Sequence, residues 1–189
     1  MSMVTAYITE HFIVMTGDHR RVHIKDNDVY IDDAPKLYQI NDRVLIGYTG
    51  DYAISLKLRD HLTESDLKAA SPAEVARQCR RWLNRNANDD TQQRVLIGGL
   101  DDERKPIIIE IGHDNGYEPI YMTVEPEHIN WRLIYANKSP QPFIEDELSK
   151  LEEINPSICA MMARTVNQRV AEIDSFVSPR CDVGVLTVK

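Results

Sequence analysis

The sequence lacks any apolar run close to the roughly 18 residues needed to cross a bilayer. Its first residues, Met1 to Thr5, also lack the basic start and the long apolar core of a secretion signal. Both absences argue against a membrane-spanning or exported protein. We therefore expect a cytoplasmic protein with no membrane partner.

Cysteine is scarce, with only three residues, Cys79, Cys159 and Cys181, spread widely along the chain. The odd count and the wide spacing do not suit a disulfide framework. They are typical of free thiols in a reducing compartment, which agrees with a cytoplasmic location. We expect Cys159 and Cys181 to pack in apolar surroundings.

Basic residues are outnumbered, because 22 Lys and Arg stand against 30 Asp and Glu, giving a formal net charge of -8. Phosphate binding needs a basic stripe, so we expect no nucleic-acid partner. One basic cluster has helical spacing, and a solvated helix face explains it better than a nucleic-acid patch. Its members are Arg77, Arg80, Arg81 and Arg85.

The six histidines form no pattern of metal ligands. His19 and His23 are four residues apart, a spacing that joins two ligands on a helix but not in the extended pattern found here. We expect no metal and no cofactor. Three acidic pairs fall at predicted turns, where Asp is a common turn former, so we do not interpret them as catalytic carboxylates. They are Asp32-Asp33, Asp89-Asp90 and Asp101-Asp102.

Hydrophobic residues make up 42% of the chain, which is enough for a sizeable core. No linker, internal repeat or low-complexity segment divides it, so we expect one domain over residues 1–189. β-prone runs predict strands over 4–9, 12–15, 21–24, 29–31, 36–40, 43–48, 94–98, 107–111, 120–124, 131–135 and 182–188. Helical spacing predicts helices over 51–62, from 72 to about 84, 142–151 and 158–173.

Runs of strands therefore alternate with pairs of helices along the chain. Ser71 and Pro72 give the second helix a clear start, with Ser at the N-cap and Pro at the first helical position. Two antiparallel sheets face to face, each covered by a helix pair, satisfy this order of elements. We expect an α+β fold built as a four-layer αββα sandwich.

Several blocks of the sequence resemble the proteasome β-subunits and their simpler bacterial relatives. Residues 36–40 (KLYQI) and 44–51 (VLIGYTGD) are similar to the strand with the family's catalytic lysine and to the strand and Gly-Asp turn that follow. Residues 13–18 (IVMTGD) are similar to the strand that ends at the family's buried aspartate. Residues 174–186 are similar to the segment that leads into the last strand. The resemblance implies the fold of N-terminal-nucleophile hydrolases, which is an αββα sandwich.

The resemblance also implies roles for individual residues. The family's nucleophile is the first residue of the mature chain, and counting back from Asp18 places that position on Ser2. Removal of Met1 would expose it, and Ser then stands where the family usually has Thr. The resemblance makes Lys36 the catalytic lysine and gives the oxyanion-binding backbone N–H to Gly50.

A serine hydroxyl is a poor nucleophile until a base takes its proton. The α-amine of Ser2, with an ordinary pKa of about 7.7–8.0, is a suitable base near neutral pH. By like-charge repulsion Lys36 would keep this amine neutral, and it would stabilise negative charge on the oxygen. Asp18 would pair with Lys36 and hold it in place.

Further positions follow from the resemblance with two departures, the first being that a Lys and two prolines replace the family's glycine-rich turn near Ser139. Ser139 is similar to the family's serine that bonds the terminal amine, and Asp174 to the aspartate of the same network. The family's next serine would fall on Val177, and Ser178 stands one residue later. Tyr48 and Tyr52 would flank the substrate pocket, which indicates a preference for apolar or aromatic substrates.

Three functions remain open at this point. The first is an amide-bond hydrolase, a peptidase that forms a homo-oligomeric ring with its sites enclosed and works with an ATP-driven unfoldase. The second is a non-catalytic assembly or binding subunit of the same fold, because a retained Met1 would leave Ser2 without a free amine. The third is a hydrolase of small amides that works outside any chamber.

Overall fold

Strands that are buried along their whole length form the centre of the molecule. A computed structural model describes residues 2–23, 29–88, 91–134 and 137–188. In it β1 (Val4–Ile8) and β2 (Phe12–Asp18) are buried at every position. Such continuous burial arises when one face of a sheet contacts another sheet and the other face contacts helices.

The strands form two larger sheets and a separate hairpin, and neighbouring strands are antiparallel throughout. The four-stranded sheet has the order β10-β1-β2-β11, the five-stranded sheet has the order β5-β6-β7-β8-β9, and β3 pairs with β4. The remaining strands are β3 (Arg20–His23), β4 (Val29–Asp32), β5 (Leu37–Asn41), β6 (Val44–Thr49), β7 (Arg94–Leu100), β8 (Pro106–Gly112), β9 (Ile120–Met122), β10 (Asn130–Ile134) and β11 (Cys181–Thr187).

In the part of the chain that the structure describes, four α-helices follow the strand runs in two pairs: α1 (Tyr52–Glu64), α2 (Pro72–Asn86), α3 (Gln141–Ser149) and α4 (Pro156–Ile173). Three of them begin at a side chain that accepts a hydrogen bond from the first turn. Asp51 caps α1, Ser71 caps α2 and Asn155 caps α4. These caps satisfy backbone N–H groups that have no partner within the helix.

Three apolar clusters connect these elements. In the first, Leu58 of α1 and Cys79 of α2 pack against the five-stranded sheet. In the second, Met15 of the four-stranded sheet and Leu45 of the five-stranded sheet belong to a cluster shared by both sheets. In the third, the inner face of α4, represented by Val166, packs against the four-stranded sheet. The first cluster therefore joins α1 and α2 to the five-stranded sheet, the second joins the two sheets, and the third joins α4 to the four-stranded sheet.

The observed elements confirm antiparallel sheets, four helices and the predicted order. Most boundaries shift by one to three residues, and a short 3-10 turn (His113–Asn115) was not expected. The predicted turn at 26–28, the pair Asp89-Asp90, Tyr135 and Met1 lie outside the described residues. None of the helices in the described ranges is both long and apolar enough to cross a membrane.

The three thiols are free, but they do not share one environment. Cys79 and Cys159 are fully buried, as apolar packing requires. Cys181 is only half-buried and lies with Asp182 and Arg164 along the same surface groove, so the expectation of apolar surroundings is wrong for this residue. Burial still raises the pKa of the Cys181 thiol to about 11, and it stays protonated at neutral pH.

Candidate active site at the start of β1

Ser2 lies two residues before the start of β1 and is 3% exposed. The chain is held here because Met3 N donates to Asp18 Oδ1 at 2.9 Å and Asp18 N donates to Met3 O at 3.1 Å. The Ser2 hydroxyl donates to the carbonyl of Arg20 at 3.4 Å. Ser2 also lines a pocket of about 190 Å³, so a buried hydroxyl faces a space that a ligand can enter.

Asp18, the last residue of β2, joins three segments through its carboxylate. It accepts hydrogen bonds from Met3 N at 2.9 Å, Arg20 N at 2.9 Å and Ser178 N at 3.1 Å. Burial raises the pKa of Asp18, while the charge of Lys36 and the three N–H donors act in the opposite direction. Asp18 therefore fixes the start of β1, the start of β3 and the loop before β11.

Lys36 precedes β5 and is 4% exposed. Its ammonium donates to the carbonyls of Arg20 and Ala34, both at 2.9 Å. Burial lowers the pKa of Lys36, and Asp18 is the largest influence that opposes this shift. Within the described ranges Asp18 and Lys36 form no direct ion pair, so the expectation that Asp18 holds Lys36 by pairing with it is not met. Two backbone carbonyls hold Lys36 instead, and Asp18 acts through its charge.

The carbonyl of Arg20 brings the Ser2 hydroxyl and the Lys36 ammonium together, because it accepts from both. The Arg20 side chain fixes this strand by a bidentate pair with Asp32 at 2.8 and 2.9 Å and by a bond to Ser175 O at 2.7 Å. The sequence gives no sign of this role, because a backbone acceptor can belong to any residue type.

Gly50 lies before the N-cap of α1 and has a φ of +116°, a conformation that L side chains rarely adopt. A Cβ atom here would lie 1.9 Å from the carbonyl oxygen of Gln92, so only glycine fits. Gly50 lines the same pocket as Ser2. Its backbone is therefore held beside the pocket that Ser2 faces.

Both predicted pocket tyrosines line this space. Tyr48 is 1% exposed and stacks on Tyr38 with ring centroids 5.4 Å apart. Tyr52 is the first residue of α1, and the Arg21 guanidinium lies 5.3 Å from its ring centroid. Tyr48 therefore limits the depth of the pocket, and Tyr52 supports a charged side chain.

The predicted site residues in the last third of the chain divide into two groups. Asp174 is buried and accepts from Lys138 N at 3.1 Å and Phe176 N at 2.9 Å. Ser178 contacts Asp18 through its backbone N–H, while Val177 packs among apolar side chains around α4. The contact of Ser178 with Asp18 is thus one of its backbone, and its hydroxyl accepts from Arg180 N at 3.1 Å.

Ser139 behaves differently, because it is exposed and accepts from Gln141 N at 3.3 Å, where α3 begins. Its neighbour Lys138 makes the contact with Asp174. The observed bond of Ser139 is that of a helix-start residue, and it is separate from the bonds that Asp174 accepts.

The pair Asp32-Asp33 has another role than the expected one of turn former. Asp32 holds Arg20, and Asp33 holds Arg21 by a bidentate pair at 2.7 and 2.9 Å. The signal was present in the sequence, because Arg20-Arg21 and Asp32-Asp33 lie at opposite ends of one predicted hairpin. Within the described residues, no three His, Cys, Asp or Glu side chains could together hold a metal ion.

Neither a family model nor a curated protein sequence matches this chain. Solved structures do match it along almost its whole length. Eukaryotic HslV from Trypanosoma brucei is 18% identical, with a TM-score of 0.63, covering 98% of this chain and 99% of HslV. Anbu from Hyphomicrobium sp. strain MC1 is 16% identical, with a TM-score of 0.75, covering 98% of this chain and 82% of Anbu.

A Gly-1 mutant of the same Anbu gives a TM-score of 0.75 at 14% identity, covering 99% of this chain and 82% of the mutant. At such low identity these likenesses bear on the fold. They support the proteasome-like fold that the sequence blocks indicated.

Proposed function

We propose that this protein is an N-terminal-nucleophile hydrolase that cleaves amide bonds, with a peptide as its substrate. One observation carries the proposal: the Ser2 hydroxyl and the Lys36 ammonium both bond the carbonyl of Arg20, beside a pocket that Gly50 also lines. A nucleophile, a cation and an unobstructed backbone at one pocket are the groups that acyl transfer needs.

In the proposed reaction the free α-amine of Ser2, directly or through a water, takes the proton from its own hydroxyl. The oxygen then attacks the carbonyl carbon of the substrate amide. Lys36 and the backbone N–H of Gly50 stabilise the negative charge that develops on oxygen. The amine leaves with a proton and an ester with Ser2 forms, and water then cleaves the ester to release the acid and regenerate Ser2.

In this proposal Asp18, Ser178 and Asp174 position other segments of the site and take no part in the reaction. Asp18 and Ser178 keep the segments around Ser2 and Lys36 together, and Asp174 keeps the segment at Lys138 in place. The proposed architecture is a single domain over residues 1–189, arranged as a four-layer αββα sandwich. By analogy with the fold we propose a cytoplasmic homo-oligomeric ring that encloses its sites and receives substrates from an ATP-driven unfoldase.

A non-catalytic binding subunit is the second candidate. The exposure of Ser139 and its bond to Gln141 favour it, because this serine then contributes nothing to orienting the amine of Ser2. The two candidates differ in one covalent feature, namely whether the nitrogen of Ser2 is a free amine or part of a peptide bond.

The intact mass of the protein purified from its native cell tests this feature. The hydrolase proposal expects a mass that corresponds to a chain beginning at Ser2. A mass that retains Met1 would contradict it, because the amide nitrogen of Ser2 could not act as a base.

Hydrolysis of fluorogenic peptides tests the chemistry. We expect the variants Ser2→Ala and Lys36→Ala to lose about 10³-fold or more of kcat/KM, since each removes a member of one catalytic unit. Ser157→Ala, an exposed position in the first turn of α4, serves as the control and should keep the wild-type rate. Equal rates for Ser2→Ala and the wild type would assign the hydrolysis to another group.

Gel filtration of the active form separates a ring from a small-amide hydrolase that works as a single chain.

A further inference from the structure

The pocket at Ser2 has a strongly asymmetric charge lining. Three cations line it, Arg20, Arg21 and Lys36, against one carboxylate, Asp51. The carboxylates that attract these cations are Asp18, Asp32 and Asp33, which are not part of the lining. Asp51 accepts a hydrogen bond from Ile54 N as the N-cap of α1, so this interaction partly offsets its charge. A ligand in the pocket therefore meets mainly positive groups.

All three cations already have protein partners, but Arg21 keeps one nitrogen for a ligand. Arg20 extends to Asp32 and Ser175, and Lys36 donates to two backbone carbonyls. Arg21 is bound to Asp33 through Nε and Nη2 only. Within the described residues its Nη1 donates to no protein group, so its two N–H groups can bind a ligand.

The Arg21 guanidinium is also fixed in position before a ligand arrives. Asp33 holds one edge of it, and the ring of Tyr52 lies 5.3 Å from its centre. A planar fork held on two sides loses little side-chain freedom when it binds a carboxylate. An apolar side chain in the same place would cover the guanidinium without replacing its bonds to water, which is unfavourable.

The size of the pocket restricts the ligand as well. Its volume is about 190 Å³, and the stacked pair Tyr38 and Tyr48 limits it on one side. This space can hold a single substrate side chain.

We propose that this pocket selects substrates with a glutamate or aspartate side chain next to the bond that Ser2 attacks, and that the guanidinium of Arg21 binds the carboxylate of that side chain. The inference rests on the proposed function for the reaction, but the binding of the acidic side chain stands on the geometry of Arg21. It differs from the apolar or aromatic preference expected from Tyr48 and Tyr52.

The test compares two peptides that are identical except for Glu or Gln at the residue before the scissile bond. Binding is measured by fluorescence anisotropy on the Ser2→Ala variant, which keeps the pocket and cannot use the serine hydroxyl. We expect the Glu peptide to bind about tenfold more tightly than the Gln peptide, as a charge-assisted hydrogen bond from Nη1 allows. In Arg21→Met the ratio should fall to about one, whereas Arg85→Met on the outer face of α2 should keep it.

Equal affinity of the Glu and Gln peptides for the Ser2→Ala variant would overturn the proposal. Tighter binding of a peptide with Leu or Tyr at the same position would overturn it as well. This comparison needs no folded Arg21 variant. If the wild type cleaves neither peptide, the proposed hydrolase activity fails, but the ratio of the two affinities still decides whether the pocket selects acidic side chains.

Discussion

Gly50 and Gly116 both have a positive φ, of +116° and +68°, but their surroundings differ. A Cβ at Gly50 would lie 1.9 Å from Gln92 O, while a Cβ at Gly116 would meet nothing within 4 Å. Gly116→Ala should therefore cost only the backbone strain of about 1 kcal/mol in the free energy of unfolding. Gly50→Ala should cost about 3 kcal/mol or more, because a steric clash adds to the strain. Urea unfolding of the two variants measures the difference, and equal costs would show that the clash relaxes.

A second residue-scale prediction concerns Asp32. Its bidentate bond to Arg20 lowers the pKa of its carboxyl. The stabilisation is therefore present above the unfolded-state pKa of about 3.9 and is lost as the pH falls through the lower folded-state value. Since 37% of the Asp32 side chain is exposed, we expect Asp32→Asn to cost only about 0.5–1 kcal/mol at pH 7 and less below pH 4.

Thermal unfolding at several pH values checks this. Asp60→Asn is the matched control, because among the described residues Asp60 pairs only with the neighbouring Arg59 on an exposed surface of α1. A cost for Asp32→Asn that stays constant from pH 7 to pH 3 would show that its charge is not the stabilising feature.

At the scale of elements, one buried carboxylate connects the two larger sheets. Glu110 of β8 is 5% exposed and pairs with Arg94 of β7 and with Arg132 of β10 in the other sheet. Glu110→Gln removes the charge from both pairs, and we expect a loss of about 1–3 kcal/mol in the free energy of unfolding. Asp102→Asn should change stability much less, because that side chain is 83% exposed and its partner Arg43 is 3.4 Å away. An equal effect of the two substitutions would exclude a role for Glu110 in joining the sheets.

Local signals account for most of the elements that the sequence predicted. Apolar runs predicted β1 and β6, and the caps Ser71 and Asp51 lie where α2 and α1 begin. The pairing of the strands could not be predicted from the sequence. For example, β1 pairs with β10, more than a hundred residues later, and no local sequence pattern indicates that contact. Glu110, a lone acid within an apolar strand, was a readable sign of a buried ion pair.

The structure brings together three of the residues that the family resemblance named, because Ser2, Lys36 and Gly50 line one pocket. Their catalytic roles stay a prediction. The carbonyl that accepts hydrogen bonds from both Ser2 and Lys36 was not predictable, because a backbone acceptor such as that of Arg20 does not depend on the residue type. The link from Asp18 to Ser178 runs through a backbone N–H and was hidden for the same reason.

At the scale of the whole molecule, two buried tyrosines belong to different apolar clusters and can be used to follow unfolding in each of them. Tyr7 faces the helices α3 and α4, and Tyr48 faces α1 and α2. Burial raises the pKa of both hydroxyls well above the ordinary value of 10. Their stabilisation is thus present below about pH 10 and is lost as the pH rises towards the folded-state values.

We expect both tyrosines to ionise in a single cooperative step at the pH where the whole protein unfolds. Absorbance at 295 nm follows the ionisation, and the variants Tyr7→Phe and Tyr48→Phe should each reduce the amplitude of that step. Two separate steps for the two tyrosines would show that the two sides of the molecule unfold independently.

The hairpin of β3 and β4 belongs to neither larger sheet, and in the described residues its two strands pair only with each other. It nevertheless supplies Arg20 and Arg21 to the pocket. Natural selection can therefore vary the charge that a substrate meets without repacking any of the three apolar clusters. Protein engineers have the same opportunity at Arg21 and Asp33, since exchanging this pair would change the charge at the pocket while the Arg20 carbonyl keeps its bonds to Ser2 and Lys36.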